Sequence, residues 1–419
     1  MKRSIYLLAN LASLATAGPQ CVDVKISLPC IDEACTELDE FVCGDVIVEG
    51  STTQPVVIKG LKNVNGSFIL RSSNTTALHV PHLETVGLNL YLSFKNPMLQ
   101  FFNFSKLIAV GNDVSIGGPE LESYSLPLLR AIEGSLVIFA PKLLGESSMD
   151  GKIGLTALDR IGGRLQVQVT NSASLQFSFP KLQSTGSFIL EPPPALEPPA
   201  LSGSPLEIEL NFPQLLSVGG DFTVKASERA VVTSLKVDKL TRAEGGIRLL
   251  SPTSPEGIGL AQKKQLSFPK LNSASFVVTS NYQTDFPVLL SVLSSFDVRN
   301  AVFDISLPLL RDIGSNLNLQ DLRGVSVLMP KLETVGSTVL GYDTSSIIIK
   351  NSTLAALNMS MLTEVSSGIT VEGVKGLTNV NFPQLVLAFF LDVLISRNLF
   401  LEFIFINFDW CLAFPGLHF

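Results

Sequence analysis

Cysteines, glycosylation sequons, a histidine pair and two carboxylates are the residues whose types and spacing offer chemistry. Cys21, Cys30, Cys35 and Cys43 form one cluster, with Cys411 far away. The cluster has no CxxC knuckle and no neighbouring His, so disulfides fit it better than zinc. In an oxidising compartment it forms two bridges, and the spacing leaves all three pairings open. Asn65, Asn74, Asn103, Asn351 and Asn358 each begin an Asn-x-Ser/Thr sequon, a glycan acceptor in a secreted chain. Asn103 lies among Phe101, Phe102 and Phe104 and is the most prone to be packed away. His79 and His82 have the HxxH spacing of a metal pair, yet no acidic or thiol partner adjoins them, so they read as strand-edge residues. Glu84 and Glu333 share a repeat position, whereas Arg130 and Arg311 fill that slot in neighbouring copies. A glycosidase needs two carboxylates across one bond, and this pattern does not stack them. With three His in the chain and no GxSxG elbow, Walker A loop, HExxH or EF-hand loop, no catalytic, cofactor or metal residue is assigned.

The ends say where such chemistry would take place. Lys2 and Arg3, an apolar run from Ile5 to Leu14 and Ala15-Thr16-Ala17 read as a signal peptide over 1–17. The run is too short to span a bilayer. At the other end, 386–419 holds eight of the 26 Phe and no Lys or Thr, and Asp392, Arg397, Glu402 and Asp409 interrupt it. Three readings stay open: a hydrophobic cap, a poor membrane tail, or a translated intron from Val386, since every Val codon begins with the GT of a splice donor. The last is preferred.

The 419 residues are 46 % apolar and only 16 % charged, with a net charge of −7. That excludes disorder and gives no general attraction to nucleic acid. With 26 Phe against one Trp and five Tyr, the aromatics read as core.

The elements that must position these residues come from a repeat. Phe179-Pro180-Lys181-Leu182 and Phe212-Pro213-Gln214-Leu215 each lead through spacers and Gly into an alternating strand. The template recurs at Pro81, Pro127, Pro269, Pro287, Pro308, Pro330 and Pro383, with degenerate copies near Ser105, Asp159, Asp238 and Ser360, most often 21–25 residues apart. Leu206–Leu210 and Leu317–Gln320 alternate with the period of a half-buried strand. The Pro closes a strand and opens a corner, while Gly162-Gly163, Gly219-Gly220 and Gly245-Gly246 are expected to supply positive φ at a second corner. No segment has a sustained helical face. Units too small to bury a core alone stack into a solenoid. The expected fold is therefore all-β, a right-handed parallel β-solenoid of about a dozen coils. Its expected parts are a Cys-rich cap at 18–50, lobes at 51–190 and 206–385, and a Pro-rich loop or linker at 191–205 with six Pro.

A signal peptide, an N-terminal Cys cluster and repeated Phe-Pro-x-Leu units running into Val-Gly-Gly and a strand resemble the fungal GPI-anchored cell-wall-organisation proteins. That family includes the yeast sporulation-specific wall proteins, built from receptor L-domain-like repeats, and the likeness covers roughly Cys21 to Leu385. It implies a non-enzymatic surface glycoprotein at the plasma membrane outer leaflet and in the wall. The implied partners are wall polysaccharide or mannoprotein, a lipid anchor to the membrane, and no nucleic acid. The family's Ser/Thr-rich stalk and anchor signal are not found here; Ser366-Ser367-Gly368 is the one faint candidate. Two alternatives remain: a ligand- or glycan-binding ectodomain, and a polysaccharide-active β-helix enzyme. Against a strong lectin stands the scarcity of aromatic platforms, with Tyr91, Tyr124, Tyr282 and Tyr342 the only Tyr of the body and Trp410 in the tail.

Overall fold

The computed structural model describes residues 21–28, 38–50, 52–71, 74–92, 96–139, 152–153, 155–168, 174–191, 206–226, 230–251, 265–336, 346–377 and 380–394. The expected signal peptide, Cys30, Cys35, Tyr342, Cys411 and most of the Pro-rich stretch and tail lie outside these residues. Every regular element among the described residues is a β-strand, and every strand pairing is parallel. The fold is a parallel β-solenoid.

The coil around Val114 shows how the template becomes structure. Phe101–Asn103 forms one face of the turn, the short strand Ala109–Val110 a second, and Val114–Gly117 the broad face. Between the first two, the Leu107 N–H reaches back to the Phe104 carbonyl at 3.2 Å. The same i to i+3 closure recurs wherever the template places Pro second, as in Phe179-Pro180-Lys181-Leu182 at 3.3 Å and Phe212-Pro213-Gln214-Leu215 at 3.2 Å. Pro presets the φ of that turn position and loses no ladder bond there.

Coils then stack in register. Val24 pairs with Val46, Val46 with Phe68 and Phe68 with Leu90. Broad-face and short strands together make one 25-stranded sheet, while the remaining face is divided into sheets of four, four, two and four strands. The ladder crosses the Pro-rich stretch unbroken: Gln176 pairs with Glu209, and Phe188 with Phe222. It also continues past Val386, where Leu387–Leu394 pairs along Glu364–Glu372.

Along each broad strand alternate residues point inward, so Leu136 and Ile138 are buried while Val137 and Phe139 are half-exposed. The inward residues form one column, including the repeat's Leu182, Leu215, Leu271 and Leu332. Phe fills its middle: Phe179 stacks on Phe212 at 5.4 Å, and Phe268 on Phe286 at 5.1 Å. Val218 and Phe222 are fully buried, which fixes the inward register.

The glycine expectation is corrected. Positive φ does not fall at the Gly-Gly pairs, although the single Gly336 takes it at that second corner. It falls chiefly where the chain leaves the broad strand, at Asn281, Asn300, Asp321 and Asn351 and again at Gly50 and Gly373, and also at Gly60, Gly324 and Gly376. Short Asx side chains tolerate that left-handed conformation. The pairs are needed for close approach instead. A Cβ on Gly162 would meet the Glu133 carbonyl, and one on Gly246 would lie 2.6 Å from the Phe276 ring.

Candidate functional site

Cys21 and Cys43 are disulfide-bonded, with Cα atoms 5.0 Å apart, and lie 22 positions apart in the sequence. Since Val24 pairs with Val46, the two cysteines occupy equivalent places in successive coils. The bridge is thus a covalent rung parallel to the hydrogen-bonded ones, which places Cys21 beside Cys43 among the three pairings the spacing left open.

The sequons occupy different environments. Asn65 is exposed at a Gly corner, Asn74 is exposed, and Asn351 is exposed at the left-handed strand exit with φ 50°. Asn358 is half-buried, and its Oδ1 accepts from Asn381 at 3.3 Å. Asn103 is half-buried on the face built by Phe101–Asn103, where it sits in register with His79 and Ser125.

His79 is half-buried with its ring 5.3 Å from that of Phe101, whereas His82 is exposed at the Pro81 turn. Among the described residues, no group of three His, Cys, Asp or Glu is placed to hold a metal ion. Glu84 and Glu333 stand in the column just before the short strands. Backbone bonds place Lys62 and Ile108 on either side of Glu84, and Arg311 and Thr363 on either side of Glu333. Glu40 bonds to Lys62 at 2.7 Å and, with Glu84, raises the lysine's pKa. Charge along this column alternates in sign.

The feature that sequence reading missed is an open concavity of about 860 Å³ on the broad face. Its floor has two sides. One is the outward column Tyr91, Ser115, Val137 and Gln166, which are paired coil to coil. The other is the Gly corner, where Gly163, Gly186, Gly219 and Gly220 carry no side chain and leave a recess. The polar groups between them are tied together. Asp113 Oδ1 accepts the Ser135 N–H at 2.7 Å, Ser135 Oγ accepts the Arg164 N–H at 3.2 Å, and Arg164 Nη1 donates to Gln166 Oε1 at 3.4 Å. Partial burial, and then the Asp113 charge, raise the Tyr91 phenol above its usual pKa. Its hydroxyl is a neutral donor and acceptor at ordinary pH.

Beyond Gly219 and Gly220 the next two coils build a raised edge. Phe276 lies over Gly246, and the Arg248 guanidinium sits 4.4 Å from the centre of its ring. Arg248 Nε is in turn 3.7 Å from Asp221 Oδ2. No sequence motif marks this recess, because its residues come from separate coils. The available signal was the outward register of Tyr91 beside the bare Gly corners. Comparison of the chain with protein-family models, curated proteins and solved structures finds no match.

Proposed function

We propose that the protein is a non-enzymatic cell-surface glycoprotein that contributes to the organisation and integrity of a fungal cell wall, held at the outer leaflet by a GPI anchor. The observation that carries this reading is the single unbroken ladder, tied covalently at its first coil and offering Asn65, Asn74 and Asn351 to solvent. Such a body is a stiff rod suited to a crowded extracellular matrix. The repeats that form its coils are the ones that resemble the wall-organisation family. The carboxylates argue the same way, since Glu84 and Glu333 are flanked by a cation or a neutral residue and not by a second carboxylate.

Tagging the full chain in a fungal host tests the proposal. It expects a glycosylated protein at the surface, released by a phospholipase specific for GPI anchors, and hypersensitivity to wall-binding dyes when the gene is disrupted. An unglycosylated protein retained in the cytosol, or a disruptant with normal wall resistance, overturns it.

A further inference from the structure

We infer that the broad-face concavity binds an extended neutral oligosaccharide, a β-linked hexose chain lying along the solenoid axis. This deepens the wall proposal, on which the choice of a glucose-based chain rests.

The lining has the chemistry of a sugar site. Tyr91, Ser115, Ser187 and Gln166 offer hydroxyls and an amide, and Asp113 and Arg164 stand in the same network with opposite charges. Hydroxyl-rich ligands are met by such groups, which donate and accept alike. Balanced charge in the recess and a net charge of −7 on the chain disfavour a polyanion.

The spacing matches as well. Successive coils are about 4.8 Å apart, close to the advance of one hexose in an extended β-linked chain. Tyr91, Ser115, Val137 and Gln166 therefore present one side chain per sugar. A peptide strand advances about 3.3 Å per residue and falls out of step with the coils. From the Tyr91 coil to the Thr223 coil the register takes five steps, through Ser115, Val137, Gln166 and Ile189. That makes about 24 Å at the spacing of parallel strands, room for about five sugars. One end of this track carries the Tyr91 ring, which suits the apolar face of a pyranose, and the other runs up to the edge built by Arg248 over Phe276. Bare Gly corners between them allow the chain to approach the backbone.

Calorimetric titration of the full secreted protein with cello-oligosaccharides of two to seven units tests the inference, with the helically curved laminari-oligosaccharides, out of step with the coils, as the weaker-binding comparison. Affinity should climb with length to about five units and then level off. Tyr91→Ala and Gln166→Ala should each weaken binding about tenfold, and Ser115→Arg, at an outward position, should block it while the melting profile is kept. Lys181→Ala, at an exposed turn, should change nothing. Absence of binding by the folded protein, affinity independent of length, insensitivity to all three variants, or preference for extended peptides overturns it. Failure of the titration with a correctly anchored surface protein removes this inference alone, whereas a cytosolic protein that still binds the sugars removes the wall proposal alone.

Discussion

Truncating Phe222 to Ala tests the stacked core most directly. The side chain is fully buried, its ring centre lying 4.9 Å from that of Phe188 in the coil before and 5.9 Å from that of Phe268 in the second coil after. Removing a buried Phe costs about 3–5 kcal/mol, and two aromatic pairs at about 0.5–1.5 kcal/mol each place this site at the upper end. Coils contact only those one or two steps away, so the loss should be local. About 4 kcal/mol corresponds to nearly a thousandfold in a local opening constant. Native-state hydrogen exchange should show that acceleration in Ser184–Glu191 and Arg242–Leu250, with Phe68–Arg71 unchanged. Leu216→Ala is the control: Leu216 lies in the same coil but is 44 % exposed, and its loss should stay within about 0.5 kcal/mol. Unchanged exchange in Phe222→Ala refutes the inward register. Equal losses for the two variants do the same, and acceleration spread over every coil refutes short-range coupling.

Cys21→Ser opens a 22-residue loop and should lower stability by about 3 kcal/mol in the chain-entropy account, seen as early proteolysis of the first coil while the Phe222 region stays protected. Glycopeptide mass spectrometry of the folded protein should find Asn65, Asn74 and Asn351 occupied and the half-buried Asn103 and Asn358 bare, because a glycan on either would not fit between the stacked coils. The Tyr282 hydroxyl, which accepts the Val232 N–H at 3.2 Å, has its pKa raised well above 10.0 by burial. A neutral form favoured by folding contributes stability that is full below pH about 10 and lost as pH rises past that value. Tyr282→Phe should therefore flatten the alkaline limb of a stability–pH profile, at a cost of about 1–3 kcal/mol at neutral pH for the N–H left without its acceptor.

The coil was legible because its determinants are local. Phe-Pro-x-Leu encodes a turn, and Leu206–Leu210 encodes a strand, within a few residues. The strand-exit corner was not, since Asn281, Asn300 and Asp321 share no flanking motif and become a column only when coils are aligned. The role of Gly162 was misjudged for a related reason: its constraint is the Glu133 carbonyl of the previous coil, not its own φ. The same holds for the concavity. Tyr91 and Gly219 lie far apart in sequence, and only stacking brings them to one surface. What the chain encodes within one coil is readable from the chain, and what arises between coils depends on register.

Among the described residues one face of the rod is divided into four separate sheets, with mechanical consequences. The broad sheet runs the whole described length, but no strand pairing among the described residues joins Ser123–Ser125 to Lys152–Ile153, Ala230–Lys236 to Gln265–Ser267, or Gln283–Asp285 to Ile305–Ser306. Hydrogen bonds between coils resist axial stretching, so a cross-section whose described residues form no strand ladder on one side is less stiff there than on the other. Under lateral load the molecule behaves as a beam with an inextensible strip along the broad face and three compliant notches opposite. It should curve about those notches with the strip as the neutral axis. Bending would then be confined to the opposite side, and a chain lying along the broad face would keep its spacing as the matrix deforms.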